Sequence, residues 1–347
     1  MSETTLSLIV TVLLYDVTPL SIMVISLRQW LREHRDKFYD DGPKQCAMHG
    51  AYTTFLGLWY TYTSRRPIGQ NVYESDWDLL IVLDACRVDV LEAVADDYDF
   101  IDSIDRVLSV GSHSREWLTG TFRRTWRDEI AHTAMITGNG HTKSVFFDDE
   151  LPPKETVPFC WPNWDVVSAD SFARLEMLWQ DEHPEGYGVP PRPITDRMID
   201  ISRDEDHERL IAHFMQPHIP YIAEAMWDDR KPTEAESRGW KYLKSGNIDD
   251  ESHWQLYEAN LRLVLDEIEI LLKNVDAEQV VITADHGNAF GEFGAYGHPE
   301  GFLHPNVKVI PWVETSATDT ESYTPSYDPQ VGVETSVEQH LEAMGYL

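Results

Sequence analysis

The stretch that most constrains this chain is 280–305, VVITADHGNAFGEFGAYGHPEGFLHP. Val280, Val281, Ile282 and Thr283 make a β-branched run of the kind that forms a parallel strand buried on both faces. The run stops at Ala284-Asp285-His286-Gly287-Asn288. A carboxylate and an imidazole side by side at the end of a buried strand are costly unless a partner takes them up. A divalent cation is a partner that uses both at once. Gly287, Gly291, Gly294, Gly297 and Gly301 let the backbone turn tightly around whatever binds, and His298 and His304 follow. The plain alternative is a strand ending in a polar loop with surface histidines.

A second run of the same kind, Trp77-Asp78-Leu79-Leu80-Ile81-Val82-Leu83, ends at Asp84-Ala85-Cys86-Arg87-Val88-Asp89, with a helical pattern over 91–98. An acid at the C-terminal end of such a strand stands where open α/β sheets bind ligands, or it caps the next helix. Downstream, Ser109-Val110-Gly111-Ser112-His113-Ser114-Arg115 is a small-residue turn leading into a helix. A hydroxyl at a helix N-terminus faces free N–H groups and the positive end of the dipole, which suits an anionic ester. Its ordinary reading is an N-cap. A third strand is expected at 132–136, running into Thr137-Gly138-Asn139-Gly140-His141. A fourth begins at Leu210 and runs into Gln216-Pro217-His218-Ile219-Pro220-Tyr221; His213 within it reads as a core histidine. Helices are expected over 172–179, 194–201 and 254–273, a last strand at 307–313, and a closing helix at 337–344. The alternation from Trp77 onward gives an α/β sandwich with a mainly parallel central sheet.

T-A-D-H-G-N followed by G-E-x-G-x-x-G-H resembles the C-terminal metal-binding segment of the alkaline phosphatase superfamily, nearest in layout to its sulfatase-like branch. D-A-x-R-x-D resembles that superfamily's first metal-ligand motif. The resemblance therefore implies a divalent metal on Asp84, Asp285, His286 and His298. S-H-S is similar to the nucleophile pattern S-x-T, which nominates Ser114, with Ser112 next. T-G-N-G-H is similar to T-A-x-x-G-K-x-H, with Asn139 in the Lys place and His141 kept. Q-P-H-I-P-Y is similar to D-P-H-x-P-Y, with Gln216 in the Asp place and His218 kept. The resemblance so implies Ser114, Ser112, His218 and His141 as catalytic groups, and Asn139, Arg87 and His298 on the substrate side. An imidazole ligand favours zinc or manganese, with calcium and magnesium as the alternatives.

The implied activity is metal-dependent hydrolysis of a small-molecule, glycan or lipid sulfate or phosphate ester. The formylglycine signature C-x-P-x-R is absent around Cys86 and Cys160, so the serine that the resemblance nominates points towards phosphate chemistry or an atypical sulfatase. Two alternatives stand: transfer of a phospho group to a lipid or glycan intermediate, and a non-catalytic binding protein in which Asn139 and Gln216 mark a degenerate site.

Composition narrows the setting. Sixty acidic residues against 28 basic ones give a formal charge of -32, spread along the chain. Such a surface suits very high salt, where self-repulsion is screened, and disfavours nucleic acid. Cys46, Cys86 and Cys160 make no disulfide framework, which favours a reducing compartment, the cytoplasm. Residues 5–27 are apolar but interrupted by Asp16 and Pro19. They offer a membrane anchor, with Arg28, Arg32, Arg35 and Lys37 holding the body on the cytoplasmic side; in the other reading Met23 is the true start. An amphipathic helix is expected at 24–38 and a packing arm at 39–75. The boundaries are thus 1–75 for the N-terminal segment and 76–347 for the catalytic domain.

Overall fold

The computed structural model of the protein describes residues 30–32, 35, 42–154 and 157–327. The apolar segment at 5–27, most of the helix expected at 24–38 and the closing helix at 337–344 lie outside the described residues. No helix among the described residues is long and apolar enough to cross a membrane. The chain divides into a smaller unit, 1–67 with 151–165, and a larger one, 68–150 with 166–347.

The smaller unit is built on helix α1 (Pro43–Thr63). Leu56, Trp59 and Tyr60 on this helix pack with Val157. The proline-rich segment comes so close that a Cβ on Gly57 would lie 1.8 Å from the Pro158 carbonyl oxygen.

The larger unit is organised on β1 (Leu79–Asp84), whose six residues are all buried. It pairs in parallel with β5 (Arg209–Pro217) on one side and β6 (Ala277–Ala284) on the other. Strands covered on both faces and both edges read as unbroken apolar runs, which is why these were visible in the sequence. β3 (Thr133–Thr137) extends the parallel set from β5, and β4 (Arg174–Met177) extends it from β3. Beyond β6 come β7 (Val309–Ala317), antiparallel, and β2 (Asp105–Leu108). Among the described residues the sheet thus has seven strands in the order β2-β7-β6-β1-β5-β3-β4.

Leu79, Ile81 and Leu83 of β1 and Leu210, Ala212 and Phe214 of β5 enter the core under helices α2 (Val88–Val94), α5 (Pro191–Asp204) and α6 (Asp250–Leu272). The Asp249 side chain caps α6 by accepting from the Ser252 N–H at 2.7 Å. Helices α3 (Ser114–Thr121) and α4 (His141–Phe146) pack on each other, and Trp117 of α3 lies 5.6 Å, ring to ring, from His213 of β5.

One element differs from expectation. Residues 172–179, expected as a helix, form β4 between two single 3₁₀ turns. Phe172, Leu175 and Trp179 mimic helical spacing, but this is an edge strand. Its charged residues are held by ion pairs, Glu176 with Arg197 at 2.7 Å and Arg174 with Glu205.

Candidate active site

β1 and β6 end side by side, so Asp84 and Asp285 emerge together, both fully buried. The turn after Asp84 is tight, with Ala85 in the left-handed region at φ 61. Such a backbone costs on the order of 1–2 kcal/mol for a residue with a Cβ. The surroundings hold it: the Ala85 N–H donates to Asp285 Oδ1 at 3.0 Å, and the Ala85 carbonyl accepts from the Tyr257 hydroxyl and from Asn288 Nδ2. Asp285 Oδ1 also accepts the His286 N–H at 2.8 Å, and Oδ2 has no hydrogen-bond donor among the described residues.

His286 is fully buried. Its Nδ1–H donates to the Gly287 carbonyl at 2.8 Å, which leaves the Nε2 lone pair facing the acids. The next residue is a glycine for a reason: a Cβ on Gly287 would lie 2.1 Å from the Asn306 carbonyl oxygen. Nε2 lies 3.3 Å from Asp285 Oδ2, 3.7 Å from Asp84 Oδ1 and 3.2 Å from Ser114 Oγ.

Ser114 is the first residue of α3, after the N-cap His113, whose Nδ1 accepts from the Arg115 N–H. Its hydroxyl is also 3.4 Å from Asp84 Oδ2. Ser112, the other nominated serine, is turned away. Its N–H and its hydroxyl both donate to Glu116 Oε2, each at 2.7 Å.

The remaining nominated residues divide. Asn139 donates from Nδ2 to Asp84 Oδ2 at 2.8 Å, so it orients that carboxylate. Arg87 is clamped by Asp89, the Asn288 carbonyl and Glu292, and lies 4.8 Å above the Phe290 ring; it braces the 285–292 loop. His218 and His298 meet at 2.9 Å, Nε2 to Nε2, and His298 lies 4.4 Å, ring to ring, from His286. The His218 Nδ1–H donates to the Ile219 carbonyl, and burial pushes its pKa down to about 4. It is therefore a neutral imidazole near pH 7. His141 joins through His113, whose ring lies 4.9 Å from His141 and 5.0 Å from His298. His113 and His298 are the partly exposed rings of this group and mark its solvent side.

Two residues here were not nominated from the sequence. His113 is one; the helix start at Ser114 was the signal that could have found it. His213 is the other: Asp84, His213 and Asp285 each offer a donor atom within 4.8 Å of the other two.

These donors fit a divalent cation. Two buried carboxylates lie together, with an oxygen of Asp285 left without a donor and an imidazole whose tautomer presents a lone pair. Four ligands at tetrahedral zinc distances stand about 3.3 Å apart. The Ser114, Asp84, Asp285 and His286 atoms are separated by 3.2–3.7 Å where they meet.

No protein-family model matches the chain, and no curated relative matches it. Solved structures with a similar fold include the soluble domain of lipooligosaccharide phosphoethanolamine transferase A from Neisseria meningitidis, at 15% identity and a TM-score of 0.43, covering 74% of this chain and 82% of that one. They also include a 2-O GAG sulfatase, at 12% identity and a TM-score of 0.42, covering 77% and 70%. A third is the C-terminal periplasmic domain of EcEptC from Escherichia coli in complex with zinc, at 12% identity and a TM-score of 0.43, covering 79% and 82%. A likeness of this degree assigns neither substrate nor reaction.

Proposed function

We propose that the protein is a metal-dependent enzyme that cleaves a phosphate or sulfate ester, with Ser114 as nucleophile. The observation that carries this is the position of the Ser114 hydroxyl, buried at a helix N-terminus and 3.2–3.4 Å from His286 Nε2 and Asp84 Oδ2. A serine doing no more than capping the helix has no need of two strand-end ligands at its oxygen.

Asp84, Asp285 and His286 are the residues that would hold the cation, zinc or manganese. When bound it would lower the hydroxyl's pKa and neutralise charge on the ester. The chain's own groups do the rest. Asn139 fixes the Asp84 carboxylate, and the Ala85 and His286 N–H groups fix Asp285. Ser114 gives up its hydroxyl proton to water, and its Oγ forms a bond to phosphorus or sulfur as the in-line bond to the alkoxide breaks; the departing alkoxide takes a proton from water. The resulting ester on Ser114 is then resolved by water or by an acceptor alcohol, which returns the hydroxyl. His298 and His113, at the solvent side, are placed to meet the ester oxygens.

The test is turnover of aryl phosphate, phosphodiester and aryl sulfate substrates with zinc or manganese in molar salt, followed by mass spectrometry of the quenched enzyme. The expected result is an adduct on Ser114, and a folded, metal-bound Ser114→Ala variant slowed by several orders of magnitude. Normal turnover by that variant refutes the assignment. Adding an acceptor alcohol distinguishes hydrolysis from transfer by its product.

A further inference from the structure

We propose that His213 is a further ligand of this cation centre, supplying a second imidazole nitrogen to the Asp84–Asp285 pair from the sheet side. The inference rests on the metal-centre reading above and adds a residue to it.

The alternation of β5 sets the side chain's direction. Leu210, Ala212 and Phe214 enter the core under α5 and α6, so His213 lies on the opposite face, where Trp117 of α3 covers it. Its partners across the sheet are Val82 on β1 and Thr137 on β3. Val82 is two residues short of Asp84, so the imidazole sits one step deeper than the acids and forms the floor beneath them.

The hydrogen bonding around the ring is incomplete in an informative way. Nδ1 lies 3.3 Å from Thr137 Oγ1, which also accepts the Asn139 N–H at 3.0 Å. Nε2, in a side chain with no exposed surface, has no hydrogen-bond partner among the described residues. A core histidine is ordinarily satisfied at both nitrogens, because a buried polar atom left without a partner has lost its hydration with nothing in exchange. A proton on Nε2 would draw the ring into a hydrogen bond with one of the two carboxylates nearby. A ring nitrogen of His213 lies within 4.8 Å of an oxygen of each of Asp84 and Asp285, and a lone pair on the unpartnered Nε2 is instead what a shared cation would take up. Two carboxylate oxygens with two imidazole nitrogens is a donor set for zinc or manganese, and a poor one for calcium or magnesium.

The test uses the full chain in molar salt, loaded with cobalt(II) or zinc. His213→Ala should weaken zinc binding at least tenfold in competition with a chromophoric chelator, and should change the visible d–d bands of the cobalt form. The metal-free variant should keep the circular dichroism of the wild type. Unchanged affinity together with an unchanged cobalt spectrum overturns the proposal. Should His213→Ala not fold, the same measurements on His213→Gln decide, since it nearly preserves volume and polarity. X-ray absorption of the zinc-loaded wild type that finds a single imidazole on the ion overturns the proposal whatever the variants do. A wild type that binds no divalent ion fails earlier and removes the metal reading itself, whereas loss of metal in His286→Ala alone leaves that reading intact and removes His213.

Discussion

Asp285→Asn separates a metal centre from an ordinary buried acid pair, because the two predict opposite signs. Without metal, Asp84 and Asp285 confront each other at a donor separation of no more than 4.8 Å. At an effective dielectric of about 20 that repulsion is at least about 3.5 kcal/mol. The amide keeps the carboxylate's shape, and its oxygen still accepts the Ala85 and His286 N–H groups. Each of those bonds weakens by roughly 1 kcal/mol when the acceptor loses its charge. The metal-free variant should therefore be more stable than the metal-free wild type by about 1–2 kcal/mol, a rise of a few degrees in melting temperature. Zinc should reverse the order. At about 100 times its Kd it adds about 2.7 kcal/mol to the wild type and nearly nothing to the variant. Differential scanning calorimetry in molar salt, with zinc and with chelator, reads both effects. A metal-free variant less stable by 2 kcal/mol or more refutes the reasoning, as does an equal zinc-induced shift in both proteins.

Ser112→Ala should keep activity within a few-fold while losing about 1–2 kcal/mol, because its hydroxyl serves Glu116; a loss of turnover as deep as that of Ser114→Ala in the same assay would move the nucleophile. Stability should fall with pH. Burial pushes His213, His218 and His253 down to about 4. The unfolded chain binds protons at these rings from about pH 6.5 downward while the folded chain does not, so the stability is complete above 6.5 and drains away toward 4. Urea midpoints of the metal-free protein should drop between pH 7.5 and 5, and a flat profile there would contradict the burial of these rings. With a formal charge of -32, the protein should unfold on dialysis from molar salt into dilute buffer; unchanged circular dichroism after dialysis would count against a high-salt surface.

The interior of the sheet was legible because strands buried on both faces have little freedom of composition. Leu79–Asp84 and Val280–Thr283 admit no other easy reading. The sheet's margins were not legible. β2 is largely exposed and carries Asp105 and Arg106, and β4 alternates charge with apolar residues at a spacing that imitates a helix. The candidate site shows the same divide. Asp84, Asp285 and His286 announce themselves as polar residues at the ends of apolar runs. His213 is a single polar residue inside such a run, and its meaning lies in what β3, α3 and the strand ends place around it. Arg87 and Ser112 look available in the sequence; only the fold supplies Asp89, Glu292 and Glu116 to occupy them.

The contact between the Ala85 N–H and the Asp285 carboxylate joins residues 200 positions apart in the chain. At about 5–20 residues per second, roughly 10–40 s of synthesis separate the two acids. During that interval β1 carries its aspartate with neither its parallel neighbour β6 complete nor His286 yet made. The site is thus among the last things the nascent chain can assemble. On the reading proposed above, capture of the cation would belong to the finished sheet, and a chain stopped before residue 286 would hold most of the described helices and lack the His286 ligand.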